Sequence, residues 1–142
     1  MRQVKHLLTD KGSQIYAIEP EEPVLQAIQT MADHHVGALL VMRGDELAGI
    51  VSERDYARKV ILLGRSSAET PVWQIMSAPV QTVDPEQSVD DCMRLCTERR
   101  IRHLPVVEQG RVVGVLSIGD LVKAVIDEQA EELAQLQRYI AG

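Results

Sequence analysis
Phenylalanine is absent from this chain, tryptophan occurs once and tyrosine three times. Readers of single-stranded nucleic acid stack bases on aromatic side chains, so that class is disfavoured. Cationic charge is also short: 15 Lys and Arg stand against 21 Asp and Glu, a formal net charge of −6. An electrostatic grip on nucleic acid or on an anionic membrane is therefore not expected. No apolar run approaches the length that spans a bilayer. The segment Met1-Arg2-Gln3-Val4-Lys5-His6-Leu7-Leu8 lacks the apolar stretch of a signal peptide, and a cytoplasmic location is the expectation. The two cysteines, Cys92 and Cys96, fall on one apolar helical stripe with Val89 and Met93. They read as small buried residues, because a four-ligand zinc site needs more donors.

What is present is a repetition. Shifting residues 15–62 by 65 positions lays them on 80–127 without a gap, with ten identical pairs that include Gly49/Gly114, Ser52/Ser117 and Asp55/Asp120. Repetition is architecture, since two like half-domains make like surfaces. With 142 residues the chain is one domain by length, and halves of this size are marginal alone. The expected division is 1–65, repeat one with an N-terminal segment, and 66–142, repeat two with the linker and a C-terminal helix.

Each repeat reads strand–helix–strand–strand–helix, an α/β fold with a three-stranded sheet. In repeat one the strands fall near 15–18, 38–42 and 47–51, with helices over 23–34 and 52–62. In repeat two the strands fall at 80–83, 103–107 and 112–116, with a helix over 89–99 capped by Ser88. In the linker, Thr70 is a candidate cap for a short helix with Pro71 in its first turn. Residues 119–140 read as one long helix, with Ile126, Leu133 and Ile140 seven apart and Leu136 between the last two, a seam for another helix. His34 and His35 read as surface residues, and Asp45 after Gly44 as turn chemistry.

Both last strands run into the same string, Gly49-Ile50-Val51-Ser52-Glu53-Arg54-Asp55 and Gly114-Val115-Leu116-Ser117-Ile118-Gly119-Asp120. A capping box accounts for Ser and Asp. It leaves unexplained the Gly three residues earlier, inside a strand, a position that often marks close approach of a backbone or ligand.

Element order, repetition and the Gly-apolar-x-Ser-x-x-Asp string resemble a CBS-domain pair, or Bateman module, over about residues 12–127. Arg102-His103-Leu104-Pro105-Val106-Val107 resembles the family's second strand. The resemblance implies two tandem β-α-β-β-α repeats packed about a pseudo-two-fold axis, with adenine nucleotide (AMP, ADP, ATP or NAD) bound in clefts between them. It implies that Asp55 and Asp120 accept ribose hydroxyls, a fit because a cis-diol donates and a carboxylate accepts. It places Ser52 and Ser117 beside them, and Ile15, Tyr16, Val80 and Gln81 at the adenine. Arg102 and His103 match phosphate-reaching positions. Their counterparts Gly37 and Ala38 cannot do this, while Arg54 stands in the first motif where the second has Gly119, beside Ile118. The two sites are therefore expected to differ. The resemblance further implies a homodimer and a regulated partner protein. No P-loop, His-Glu-x-x-His or Gly-x-Ser-x-Gly is present, so a non-catalytic sensor is expected, with no metal and no catalytic residues. The rival expectation is a ligand-free dimerisation module, and a third is a catalyst that uses the bound nucleotide.

Overall fold
The computed structural model describes residues 2–12 and 14–141. Two compact units form, one from Ile15–Gln81 and the other from Met1–Gln14 with Thr82–Gly142. The chain is thus divided elsewhere than at 65/66. The N-terminal segment joins repeat two, and the linker stays with repeat one.

In the first unit, β1 (Ala17–Ile18) pairs in parallel with β2 (Ala38–Arg43), which pairs antiparallel with β3 (Glu46–Ser52). Helix α2 (Val24–His34) covers this sheet through Val24, Ala27 and Met31, which share a buried cluster with Leu39, Val41 and Val51. The helix expected at 52–62 is composite: α3 (Glu53–Tyr56) loosens into a π-helical turn over Ala57–Ile61. The linker then adds a 3-10 turn, Val72–Gln74, whose N-cap is Pro71. Thr70 is not the cap; its hydroxyl donates to the Ser66 carbonyl instead.

In the second unit, α4 (Val89–Arg99) packs on the antiparallel pair β4 (His103–Glu108) and β5 (Arg111–Ser117), and α5 (Ile118–Ala141) follows. Ser88 caps α4 as expected, accepting the Asp91 N–H at 3.1 Å. The strand expected at 80–83 is reduced to one parallel bridge, Val83 with Val106. An unforeseen helix, α1 (Val4–Lys11), completes this unit.

Helix α1 does for repeat two what the linker does for repeat one. Helix α2 begins at Pro23, with no side-chain acceptor for its free N–H groups. Val24 N–H instead donates to the Thr70 carbonyl, and its counterpart Val89 N–H donates to the Arg2 carbonyl. Val72 N–H returns a bond to Glu22, and Val4 N–H returns one to Gln87. Val72 and Ile75 sink into the first core, and Val4 and Leu7 into the second.

This packing explains the strand glycines. A Cβ on Gly49 would stand 2.6 Å from Met76 Sδ and 3.0 Å from the Ser77 carbonyl oxygen; one on Gly114 would stand 2.5 Å from Leu8 Cδ2. Both glycines sit at a β-bulge, where Ala48 and Val113 are the extra residues. The close approach is made by the chain itself.

Candidate functional site
Each repeat's last strand ends in a serine that starts the next helix. Ser52 Oγ accepts the Asp55 N–H at 3.2 Å, and Asp55 Oδ2 accepts Ser52 N–H and Oγ–H, each at 3.0 Å. Ser117 Oγ accepts the Asp120 N–H at 3.2 Å, and Asp120 Oδ2 accepts the Ser117 N–H at 2.8 Å. The capping-box reading of both strings is therefore met in full. The residue after each serine ties the helix start to the sheet: Glu53 N–H donates to Gly37, and Ile118 N–H to Arg102. Ala38 lies opposite Ser52 in the ladder, and His103 opposite Ser117. Gly37-Ala38 and Arg102-His103 thus occupy matching places beside matching carboxylates.

The sequence reading missed a lysine on each carboxylate. Lys59 Nζ lies 3.3 Å from Asp55 Oδ1 and donates to the Ile75 carbonyl at 2.9 Å. Its spacing of four from Asp55 was a readable signal. Lys11 Nζ lies 2.6 Å from Asp120 Oδ2 and donates to the Val115 carbonyl at 2.8 Å. No local spacing announces that contact, because Lys11 arrives on α1. Burial pushes the Asp120 carboxyl up, but the Lys11 ammonium and the Ser117 bonds outweigh it and hold it below its ordinary value. Burial also pushes His103 below the usual imidazole range, reinforced by Lys11 and Arg102 and opposed by Asp120. Repeat two therefore pairs its carboxylate with Lys11 and sets His103, on which Lys11, Arg102 and Asp120 all act, opposite Ser117.

Ile15 and Tyr16 lie at the same end of the first sheet as Ser52, with the Tyr16 carbonyl accepting the Leu40 N–H. The Tyr16 ring stacks on His34 with centroids 4.1 Å apart, so a residue read as plain surface has an aromatic partner. Arg54 and Arg102 are exposed, and Val80 and Gln81 are half-buried and outside any strand. A depression of about 450 Å³ in the first unit is lined by Glu19, Glu22, Gln26 and Thr30 among others, and holds none of the expected site residues. Cys92 and Cys96 are free and buried. Burial first, then Cys96, Asp91 and Asp84, push the Cys92 thiol up to about 11, which suits a core residue rather than a nucleophile. Among the described residues, no group of three or more His, Cys, Asp or Glu is placed to hold a metal, and no helix is long and apolar enough to cross a membrane.

The CBS domain family profile matches residues 4–61 and 72–127. The mitochondrial CBS domain-containing protein CBSX3 of Arabidopsis thaliana is 46% identical over 127 residues, 86% of this chain; the chain spans 62% of that relative's length. The structure of a putative signal-transduction protein with CBS domains from Burkholderia ambifaria superposes with a TM-score of 0.87 at 52% identity, covering 90% of this chain and 96% of that one. A CBS-domain pair crystallised in complex with 5′-methylthioadenosine and S-adenosyl-L-methionine gives a TM-score of 0.80 at 21% identity, over 90% and 98% of the two chains, a likeness of fold. Profile matches that begin at Val4 and Val72, the two residues that open the equivalent packing segments, place this chain in the CBS-domain family as a tandem pair.

Proposed function
We propose that the chain is a non-catalytic sensor whose Ser-x-x-Asp motifs bind an adenine nucleotide: AMP, ADP, ATP or NAD. The observation that carries this reading is that both repeats present the same carboxylate at the same strand–helix junction, joined in repeat two by the Lys11 ammonium, with His103 opposite Ser117 in the ladder. The fold-mate crystallised with two adenosine compounds supports the ligand class. In this mechanism Asp55 and Asp120 accept ribose hydroxyls, while Ile15, Tyr16, Val80 and Gln81 flank adenine. Arg54 serves the first motif, and Arg102 and His103 serve the second. Bound ligand then favours one packing state of the protein, and a partner protein reads that state. The shift is set by the ligand's difference in affinity between states. Calorimetry against AMP, ADP, ATP and NAD, with GTP as control, is expected to show at least one adenine ligand with a dissociation constant between about 1 µM and 1 mM. A ligand preferring the folded state also raises the unfolding temperature. No heat and no thermal shift with any of the four would overturn the sensor.

A second reading, assembly, is favoured by α5. Its buried face carries Leu121 and Ala124, so Val122, Ile126, Leu133, Leu136 and Ile140 face outward, with exposures from 41% at Val122 to 75% at Ile140. With Gln129 these residues are spaced 4-3-4-3-4, the heptad seam of a two-helix coil. The apolar members present on the order of 500 Å² per copy, so pairing two copies buries about 1,000 Å², the lower bound for a specific interface. A homodimer through this seam is the expected state. Light scattering at tens of micromolar should give a dimer for the intact chain and a weaker one for a chain ending at Glu128. An intact monomer would refute the dimer, and an equally tight truncated dimer would remove α5 from its cause.

A further inference from the structure
Two acids in equivalent positions are held by lysines of different origin. Lys59 belongs to the helix that Asp55 opens, so the first pair is local. Shifted by 65, Lys59 becomes Ala124, buried in the second core. Repeat two has no lysine of its own there, and the ammonium comes instead from the last residue of α1. The base of that arm is fixed, because Val4 and Leu7 are buried and Leu8 lies against Gly114. The arm itself is held less firmly: Lys11 is half-exposed, its ammonium has one further bond, to the Val115 carbonyl, and Gly12 behind it turns the chain at φ +92. The ammonium can therefore leave Asp120 while α1 stays docked.

The consequence follows from what the carboxylate already accepts. Asp120 Oδ2 takes both the Ser117 N–H and the Lys11 ammonium. A ribose hydroxyl arriving there replaces an ion pair, charged on both partners, with a bond charged on the carboxylate alone, a losing trade. The displaced ammonium remains near His103, on which Arg102 also acts, and has lost the carboxylate that paired it. A ligand that brings its own anion reverses this, since a phosphate accepts bonds from the displaced lysine and its basic neighbours.

We propose that Lys11 is a specificity-determining residue that yields Asp120 only to an anionic nucleoside ligand, so that repeat two selects nucleoside phosphates over neutral nucleosides. This rests on the reading of Asp120 as a ribose acceptor. In repeat one, Gly37 and Ala38 stand where repeat two has Arg102 and His103, so no equivalent basic pair adjoins Lys59 and the selection belongs to repeat two.

The test is the ratio of two affinities, for AMP and for adenosine, in the full chain and in Lys11→Met, titrated at one ionic strength. The Asp55→Asn background leaves repeat two as the reporting site. An exposed ion pair contributes little to stability, so the variant is expected to fold, which an unchanged unfolding midpoint would verify. Lys11→Met should strengthen adenosine and weaken AMP, narrowing the AMP preference about tenfold, while Lys11→Arg keeps most of it. A ratio within twofold of the parent, or equal losses for both ligands, would overturn the selector and leave the nucleotide site standing. If neither ligand binds the parent or the variant, the nucleotide reading falls, and the selector falls with it.

Discussion

Gly49→Val is expected to destabilise the protein by about 2–4 kcal/mol, the sum of an overpacking cost and a broken backbone bond. The first β-carbon would meet Met76 Sδ at 2.6 Å and the Ser77 carbonyl oxygen at 3.0 Å. The thioether can turn away, since methionine adapts readily. The carbonyl cannot, because Ser77 and Ile50 exchange both backbone hydrogen bonds, at 3.1 and 2.9 Å, directly beside Gly49. The segment must lift off β3, and Val72 and Ile75, fully buried just before it, are pulled with it. Urea unfolding should show a lower midpoint with an unchanged slope. Gly114→Ala provides the contrast. Its clash is with Leu8 Cδ2, the end of a half-buried side chain, so a loss of about 1–2 kcal/mol is expected. A Gly49→Val midpoint equal to the parent's would mean that residues 76–77 do not rest on β3.

These glycines show where the sequence was legible and where it was not. The repeat, the strand order and the serine caps follow from local patterns, because periodicity and capping are short-range. Gly in a strand correctly signalled a close approach, but its partner lay 27 residues away in one repeat and 106 in the other, from Met76 and Leu8. That partner was readable in a second, shorter repetition: Val4-Lys5-His6-Leu7-Leu8 against Val72-Trp73-Gln74-Ile75-Met76, offset by 68 rather than 65. The change of offset hides it from a single sliding comparison, and α1 was missed for that reason. The strand at 80–83 failed differently. Val83 keeps one bridge to Val106 and its hydrogen bonds to Pro105 and Val107, while residues 80–82 lie outside any strand. Lys11 was invisible because its contact exists only once α1 is docked. The ion pairs on Asp55 and Asp120 were the least legible part of the site, and they bear most directly on its chemistry.

Asp120→Ala separates the two roles that this side chain holds. As a cap it accepts the Ser117 N–H at 2.8 Å and pairs with Lys11 at 2.6 Å. Removing it should lower stability by about 1 kcal/mol, the usual value of a helix cap, since the half-exposed ion pair adds little. As a ribose acceptor it should lower nucleotide affinity by about 1.5–3 kcal/mol, the range for hydrogen bonds to a charged group. The two losses are read on one variant, by urea unfolding without ligand and by calorimetry with the tightest adenine nucleotide. A stability loss with unchanged affinity would reduce the motif of repeat two to a helix start. The pH dependence supplies a check on the cap. The folded carboxyl sits below its ordinary value of 3.8, so the unfolded chain binds a proton first as pH falls. The stabilisation is fully present above that value and is lost as pH falls through the lower, folded one. The stability gap between the parent and Asp120→Ala should therefore hold from neutral pH down to about 4 and close only in stronger acid. A gap that already changes as pH falls below about 6.5, well before 4, would assign the effect to His103 instead, the neighbour opposite Ser117 whose folded imidazole titrates below its ordinary value.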